Sequence, residues 1–155
     1  MRLPSAILRL FRNEAPVIAW VTSDLAVGPA PRQTAWHLIR QAGIRGVLDL
    51  RAEAPDSEEA VAAAGLEYQH LPVEDLSVPA AGELEAVVAW VIERITTGGP
   101  VLIHCREGRG RSPFVAAAVL VRLGLPLPEA YRLLQRACPD LMLSDEQVAV
   151  LESIG

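Results

Sequence analysis

The sequence predicts an α/β fold with a central, mostly parallel sheet of about four to five strands flanked by helices. The main observation is that short apolar, β-like runs alternate with helical patterns, which is typical of a parallel sheet with crossover helices. The chain has 155 residues, 51% of them hydrophobic, enough for one domain with a sizeable core. No repeat or low-complexity linker divides it. We therefore expect a single domain over residues 1–155, with a helical extension at 1–16 and the core at 17–155.

The N-terminal half of the chain supplies the first predicted elements. "VIAWV" and "LAVG", separated by "TSD", are expected to form a hairpin. The stretch "PRQTAWHLIRQAG" is typical of a helix that Pro31 opens and Gly43 closes. A short buried strand, "GVLDL", follows, and then a polar helical pattern, "DSEEAVAAAG". The stretch "LEYQHLPV" connects this helix to the next one.

The C-terminal half begins with a long helical pattern, "GELEAVVAWVIERITTGG". Its apolar residues recur at helical spacing; they are Leu84, Val87, Val88, Val91 and Ile95. The next β-like segment is "PVLIHC", and three helical patterns with start or stop signals follow it: "SPFVAAAVLVRLG", "LPEAYRLLQRACP" and "SDEQVAVLESIG". Because ligands bind at the carboxyl ends of parallel strands, the loop "HCREGRGRS" lies where a site is expected.

Charge and residue usage exclude several classes of function. A net charge of −5 argues against broad electrostatic binding to nucleic acid or to an anionic membrane. The chain has no lysine, so all 14 positive side chains are arginine, which excludes lysine Schiff-base chemistry and a lysine-bearing Walker loop. We expect no nucleic-acid partner and no stable association with a membrane.

Cysteine usage indicates the cellular compartment. Cys105 and Cys138 are the two cysteines, so a disulfide framework is not expected and a reducing cytoplasm is. The N-terminal apolar stretch is too short for a secretory signal or a membrane span. We expect a cytoplasmic, soluble monomer. An amphipathic helix on a membrane surface is the alternative for residues 5–12.

The loop after the last predicted strand has the features of an anion cradle. Gly108 and Gly110 allow successive backbone N–H groups to point into one concavity, and the start of the following helix adds positive partial charge. Cys105, at the base, would be surrounded by donors that favour its thiolate, the nucleophilic form. The planar fork of Arg111 suits two oxygens of a phosphoryl group. The pattern therefore predicts phosphoryl transfer to sulfur.

This loop resembles the HCxxGxxRS/T signature loop of cysteine-based protein tyrosine phosphatases. From about Trp20 onward the chain resembles their compact, atypical dual-specificity branch, since "LAVGPAP", "GIRGVLDLR", "LPVEDLSVP", the signature loop and "DEQ" have counterparts in the same order. The resemblance implies a tyrosine-phosphatase-like fold, with the phosphate-binding loop between a strand and a helix. It also implies a phosphomonoester hydrolase that uses neither a metal nor another cofactor.

The resemblance also implies roles for the residues of the loop. By position, Cys105 forms a phosphocysteine, Arg111 grips the phosphate and Ser112 aids breakdown of the intermediate. His104 helps to keep the cysteine ionised through the hydrogen bonds of the loop. Phosphate, sulfate or vanadate is expected to bind in the loop, through Arg106, Glu107, Gly108, Arg109, Gly110 and Arg111.

A separate acid must protonate the leaving oxygen. The resemblance assigns this role to Asp75 in "LPVEDLSVP", which would then act as the base in the second step; the neighbouring Glu74 is the alternative. Considered without the resemblance, either residue is equally well a solvated loop acid or a helix cap. Gln147 matches a glutamine that some family members use near the hydrolytic water, and a place on the helix surface is the alternative.

The remaining polar candidates are given structural roles. Asp49 and Arg51 are expected to form hydrogen bonds at a strand end. His37 and His70 have no metal-ligand spacing, so they are expected to be structural or solvent-facing. Cys138 is expected to be an inert packed thiol.

Three rival functions are weighed against a phosphatase. A rhodanese-like sulfurtransferase would need arginine at position 110, which is glycine. An inactive phosphate-binding module would be expected to lose the cysteine, arginine or acid, and this chain has all three. A low-molecular-weight tyrosine phosphatase carries its signature near the N-terminus, whereas the signature of this chain begins at residue 105.

The substrate class is less constrained by the sequence. Tyrosine-only members of the family deepen the pocket with a loop that carries lysine and tyrosine inside a much larger domain. For this short chain without lysine, the resemblance therefore implies a shallower pocket, open to phosphotyrosine and to phosphoserine or phosphothreonine. As the alternative, Arg106 and Arg109 would favour a small phosphorylated molecule or a phosphoinositide.

Overall fold

The structure, a computed structural model, describes residues 15–155. The surface helix considered for residues 5–12 lies outside the described residues, as does all but the last part of the extension at 1–16. Among the helices of the described part, none has the length and apolar character that crossing a bilayer requires.

A five-stranded sheet forms the centre of the molecule. Its strands are β1 (Ala19–Trp20), β2 (Leu25–Gly28), β3 (Gly46–Arg51), β4 (Glu67–Val73) and β5 (Val101–His104), in the spatial order β1-β2-β5-β3-β4. β1 and β2 pair antiparallel, and every other pair is parallel. This confirms the predicted hairpin and the mostly parallel sheet. β5 lies between β2 and β3, so the loop after it opens at the middle of the carboxyl edge.

The sequence analysis does not predict strand β4, whose residues it describes only as a connection between two helices. It occupies the edge of the sheet next to β3, and its residues alternate between exposed and partly or fully buried. An edge strand tolerates polar residues and a proline, here Pro72. Because of these residues, β4 lacks the continuous apolar run by which the other strands are recognised in the sequence.

Helices cover both faces of the sheet. They are α1 (Trp36–Gln41), α2 (Glu58–Ala63), α3 (Ala81–Thr97), α4 (Arg111–Arg122), α5 (Leu127–Ala137) and α6 (Asp145–Ile154). Because strand side chains alternate between faces, the core has two parts. Leu48 and Ile103 pack with α3 to α6 in the larger part, and Val47 and Leu102 pack with α1 and α2 in the smaller.

Helix α1 is shorter than the sequence predicts. It begins at Trp36 rather than at Pro31, and it is followed by Gly43, whose φ is 108°. The preceding segment turns instead, with Ala35 N donating to Arg32 O, and Gln33 uses its side chain to bind the start of α2 through Ser57 N. Gln33 is thereby bound to a segment 24 residues further along the chain.

Helix α4 positions the signature loop. Its residues from Arg111 to Leu120 are all buried, because it packs on the sheet between α3, α5 and α6. The small side chains of Ala116, Ala117 and Ala118 allow a close approach. The helix starts directly beyond β5, so its N-terminal amides face the same edge of the sheet as the end of that strand.

Candidate active site

The signature loop, residues 104–112, is held from two sides. Ala30 N donates to Arg106 O at 3.1 Å, and Met142 N donates to Arg109 O at 2.8 Å. Gly108 has a φ of 77°, and a Cβ there would lie 2.6 Å from the carbonyl carbon of Gly28. Only glycine fits this position, so the loop is bound tightly to the end of β2.

Cys105 lies at the base of this loop. Its side chain is buried, and its Sγ accepts a hydrogen bond from Gly108 N at 3.3 Å and lies 3.3 Å from Ser112 Oγ. Donors arranged in this way stabilise a thiolate. No side chain caps the start of α4, so its first amides are available to an anion.

Arg111 is buried beside the cysteine loop. Nη1 donates to Val73 O at 2.9 Å, and Nη1 and Nη2 donate to the two carboxylate oxygens of Glu53 at 2.6 and 2.9 Å. Nε is buried without a hydrogen-bond partner and lies 3.8 Å from Asp75 Oδ1. An unpaired buried donor is costly; a phosphoryl oxygen bound in the loop is a suitable acceptor for it.

Glu53 is a site residue that the sequence analysis does not single out. The hydrogen bond from Arg111 lowers the pKa of Glu53 to about 2, and the same bond raises the pKa of Arg111. Glu53 follows β3 at the carboxyl edge, and an acid directly after a central strand is the signal that indicates it. Its carboxylate orients the guanidinium, leaving Nε unoccupied.

The two candidate acids lie in the loop between β4 and α3. Asp75 is exposed at the rim, and its Oδ1 accepts from Leu76 N at 3.0 Å. Glu74 is exposed, and its carbonyl accepts from Ser77 N at 3.1 Å. Of the two, Asp75 is the one that approaches Arg111. Leu76 has a φ of 65°, a conformation that costs energy for a residue other than glycine.

Gln147 does not lie on the helix surface. Its side chain is fully buried, accepts from Ser144 N at 2.9 Å as part of a capping box, and donates to Ser77 O at 3.3 Å. A Cβ on Gly110 would come within 3.9 Å of Gln147 Oε1. Gln147 therefore connects α6 to the signature loop and to the acid-bearing loop.

The other loop side chains face outward. Arg106, Glu107 and Arg109 are exposed, and Arg109 forms ion pairs with Glu107 at 3.0 Å and with Asp140 at 3.5 Å. These acids reduce the positive charge at the rim.

Residues outside the loop follow the structural roles expected of them. His37 is exposed, and His70 Nε2 lies 2.7 Å from Arg51 O. Cys138 is buried, and burial raises the pKa of its thiol.

His104 belongs to a buried polar cluster, which we call the tetrad: Asp49, Arg51, Asp56 and His104. His104 Nε2 lies 2.6 Å from Asp56 Oδ2, and Nδ1 lies 3.3 Å from Cys105 O. Arg51 forms ion pairs with Asp49 at 3.2 Å and with Asp56 at 2.8 Å. Burial raises the pKa of Asp49, but His104 and Arg51 outweigh it and hold that pKa below its ordinary value. Asp56, a residue that the sequence analysis leaves out, completes the cluster.

Asp49, Asp56 and His104 have the ligand types of a metal site, and their ligand atoms lie within 4.8 Å of one another. The guanidinium of Arg51, however, bridges the two carboxylates. A positive side chain therefore already neutralises the charge that a cation would neutralise, and the arrangement fits a hydrogen-bonded cluster better than a metal centre.

Comparisons with known proteins agree with this geometry. Residues 24–125 match the family model described as "Polymorphic toxin system, DSP-PTPase phosphatase". Human dual specificity phosphatase 28 is 28% identical over 126 residues, covering 80% of this chain and 69% of that protein. Human phosphatidylglycerophosphatase and protein-tyrosine phosphatase 1 is 26% identical over 139 residues, covering 81% of this chain and 69% of that protein. The crystal structure of Tk-PTP in the active form superposes with a TM-score of 0.82 at 30% identity, covering 90% of this chain and 96% of that chain.

Proposed function

The chain belongs to the DSP-PTPase family, the dual-specificity branch of cysteine-based protein tyrosine phosphatases, and on that premise we propose that it works through a covalent phosphocysteine. It is a cysteine-dependent phosphatase, a hydrolase. The observation that carries the mechanism is the pairing of a buried cysteine with a buried arginine whose Nε is unpaired and lies 3.8 Å from Asp75.

In the first step, the Cys105 thiolate attacks phosphorus. The S–P bond forms as the ester P–O bond breaks, and the leaving oxygen takes a proton from Asp75. Arg111 binds two phosphoryl oxygens and keeps hold of them as charge redistributes. The exposed position of Asp75 at the rim supports its role, because the leaving group points out of the loop.

In the second step, water attacks phosphorus and transfers a proton to Asp75 as the S–P bond breaks. The departing thiolate needs a donor, and Ser112 Oγ, 3.3 Å from the sulfur, is suited to that role. We give Gln147 the water-positioning role through the amide hydrogen that Ser77 does not accept. Inorganic phosphate leaves, and the enzyme returns to its starting state.

For the substrate, we propose phosphotyrosine together with phosphoserine or phosphothreonine in proteins. The ion pairs of Arg109 with Glu107 and Asp140 weaken the attraction of the rim for multiply charged substrates, which favours a single phosphomonoester. A phosphorylated small molecule or a phosphoinositide is the second candidate. Its support is the relative with phosphatidylglycerophosphatase in its name. We also propose that the protein is cytoplasmic and monomeric, and that its charge of −5 disfavours nucleic acid as a partner.

The experiment is phosphate release, without added metal, from matched phosphotyrosine, phosphoserine and phosphothreonine peptides and from a phosphoinositide. We expect release that the Cys105→Ser variant lacks, inhibition by vanadate, and no inhibition by chelators. The ranking of the four substrates identifies the preferred class. Release that persists in Cys105→Ser, or that a chelator abolishes, would contradict the mechanism.

A further inference from the structure

A small cavity lies at the amino edge of the sheet, where β3 and β4 begin. Its volume is about 210 Å³, and its lining includes Gly46 at the start of β3 and Glu67 at the start of β4. The six residues of β3 extend over roughly 20 Å, at about 3.3 Å per residue, and lead to the carboxyl edge. The cavity is therefore separate from the signature loop, which opens at that opposite edge.

Three partly buried arginine side chains line this cavity. Arg40 comes from the last turn of α1, Arg45 precedes β3, and Arg94 comes from the last turn of α3. Within the described part of the chain, Glu67 is the one acidic residue of the lining, and both Glu67 and Glu93 form ion pairs with Arg94. Arg40 and Arg45 bond to backbone carbonyls rather than to described acids. The cavity thus has a local excess of positive charge, in a chain whose net charge is −5.

Backbone carbonyls hold the two arginines that pair with no described acid. Arg40 Nη1 donates to Gly65 O at 2.6 Å, and Arg45 Nη1 donates to Ile44 O at 2.9 Å and to Arg40 O at 3.2 Å. Both side chains use Nη1 for these bonds, which leaves Nε and Nη2 without an acceptor among the described residues. Nε and Nη2 form one side of the planar guanidinium, and that side can bind two oxygens of an oxyanion. The carbonyls therefore orient the two guanidinium groups without neutralising their charge.

The rest of the lining adds a donor and open space. Arg94 Nε is buried without a hydrogen-bond partner among the described residues, which is costly for a donor. Gly65, at a φ of 79°, has no side chain to occupy the space beside Arg40, and a Cβ there would lie 3.5 Å from Arg40 Nη1. The cavity therefore offers donors from three arginines, with backbone between them.

The size of the cavity limits the ligand. A volume of about 210 Å³ is below the range of about 300 to 1,000 Å³ that is typical of pockets for drug-sized molecules. We propose that this cavity binds a free oxyanion of the size and charge of sulfate or phosphate, held by the guanidinium groups of Arg40 and Arg45. The proposal is independent of the proposed function, because the cavity contains no residue of the signature loop or of the acid-bearing loop.

A purely structural role for these arginines is the alternative. Arg40 and Arg94 lie in the last turns of their helices, where a positive side chain stabilises the partial negative charge of the helix end. In that case the arginines would stabilise the fold and would bind no anion, so the two roles differ in a direct measurement of binding.

The test is a nitrogen-15 NMR titration of the wild-type protein with sodium sulfate, with sodium chloride at the same ionic strength as the reference. The side-chain Nε–H signals of Arg40 and Arg45 report on the cavity, and the backbone amide of Gly108 reports separately on the signature loop. We expect the arginine signals to shift and saturate with a dissociation constant of about 1 to 10 mM, a weak affinity. Arginine shifts that do not saturate, or that chloride reproduces, would overturn the proposal.

Arg45→Gln removes one of the two free guanidinium groups. Binding followed at the Arg40 signal should weaken by about tenfold, because hydrogen bonds to a charged group are lost, and the sulfate response of Gly108 should not change. Arg122→Gln is the matched control, since Arg122 is an exposed arginine that pairs with Glu85 at 3.1 Å. It should leave both responses as they are. Unchanged binding at Arg40 in Arg45→Gln would contradict the proposal.

Glu67→Gln should have the opposite effect. Removing the acid from the lining should tighten sulfate binding by about two- to fivefold, because a like charge no longer faces the anion. A structural role predicts no tightening, since the variant would simply lose the ion pair with Arg94. Unchanged or weaker binding in Glu67→Gln would count against the proposal. If Arg45→Gln does not fold, Arg40→Gln followed at the Arg45 signal gives the same comparison, and the wild-type titration decides by itself.

Discussion

The two sides of the active site are built differently. The signature loop has a buried cysteine and a buried arginine, lies between the central strand and a buried helix, and is held by hydrogen bonds from two other segments. The acid-bearing loop, Glu74 to Ser77, is largely exposed, and its Leu76 has a φ of 65°. Two side chains hold this loop: Ser144 Oγ donates to Leu76 O at 2.9 Å, and Gln147 Nε2 donates to Ser77 O at 3.3 Å.

This difference matches the tasks of the two loops. Binding a phosphoryl group requires fixed donors, because preorganised dipoles avoid reorganisation during the reaction. The acid must meet leaving groups of different size, and it lies on an exposed segment at the rim. Changes in the buried loop should therefore affect every substrate alike, and changes in the acid loop should depend on the leaving group.

The largest expected effect is that of Cys105→Ser in the buried loop. Turnover should be lost for every substrate, since a neutral hydroxyl lacks the nucleophilicity of a thiolate. Calorimetric titration with vanadate or sulfate should still detect binding, because Arg111 and the loop amides remain. Loss of both turnover and anion binding would mean that the substitution disrupts the loop.

Asp75→Ala tests the exposed loop. We expect kcat on a poor leaving group to fall by about 10²- to 10³-fold with little change in KM, because the acid acts in the transition state. An activated aryl phosphate should be affected much less. Glu74→Ala is the matched control, and a larger loss there than in Asp75→Ala would transfer the acid role to Glu74.

Gln147→Ala loosens the connection between the two sides. Removing its bonds to Ser144 and Ser77 should lower kcat by about tenfold for poor leaving groups and reduce stability by about 1 to 2 kcal/mol. Steady-state kinetics and thermal unfolding measure the two effects. A uniform loss of kcat on poor and activated substrates would show that Gln147 acts mainly through its water-positioning role in the second step, which is common to all substrates, rather than by holding the acid-bearing loop.

The smallest expected effect concerns Glu53. Its pKa falls from an ordinary 4.5 to about 2 in the folded protein, so its bond with Arg111 stabilises the fold above about pH 4.5, and this contribution is lost as pH falls toward about 2. Because solvent screens this partly exposed side chain, the bond should contribute about 1 kcal/mol to the free energy of unfolding. The free energies of unfolding of the wild-type protein and of Glu53→Gln should differ at neutral pH and become equal in acid. An equal difference at both pH values would contradict this linkage.

Most of the fold followed from local patterns. Alternating apolar runs and helical spacing predicted the sheet and most helices, because each pattern reports which face of one element is buried. The patterns failed where tertiary contacts matter: β4 is polar because it lies at an edge, and the residues before α1 form a turn in which Gln33 binds the start of α2.

Local spacing was enough to predict a site at the signature loop. The loop between β5 and α4 contains Cys105 and Gly108, and Arg111 begins the helix. Because these residues are so close along the chain, their spacing alone indicates that they line the same anion-binding loop. The resemblance added Asp75, which the geometry brings within 3.8 Å of Arg111.

The order of the strands in the sheet sets which distant side chains support the loop. Glu53 meets Arg111 across 58 residues of sequence, and Asp56 meets His104 across 48. Both acids follow β3, and β3 becomes a neighbour of β5 only through the order of the sheet. The chain has 19 acidic residues, and the residues around Glu53 and Asp56 in the sequence do not indicate that these two have basic partners. A salt bridge depends on distance in space rather than on spacing along the chain.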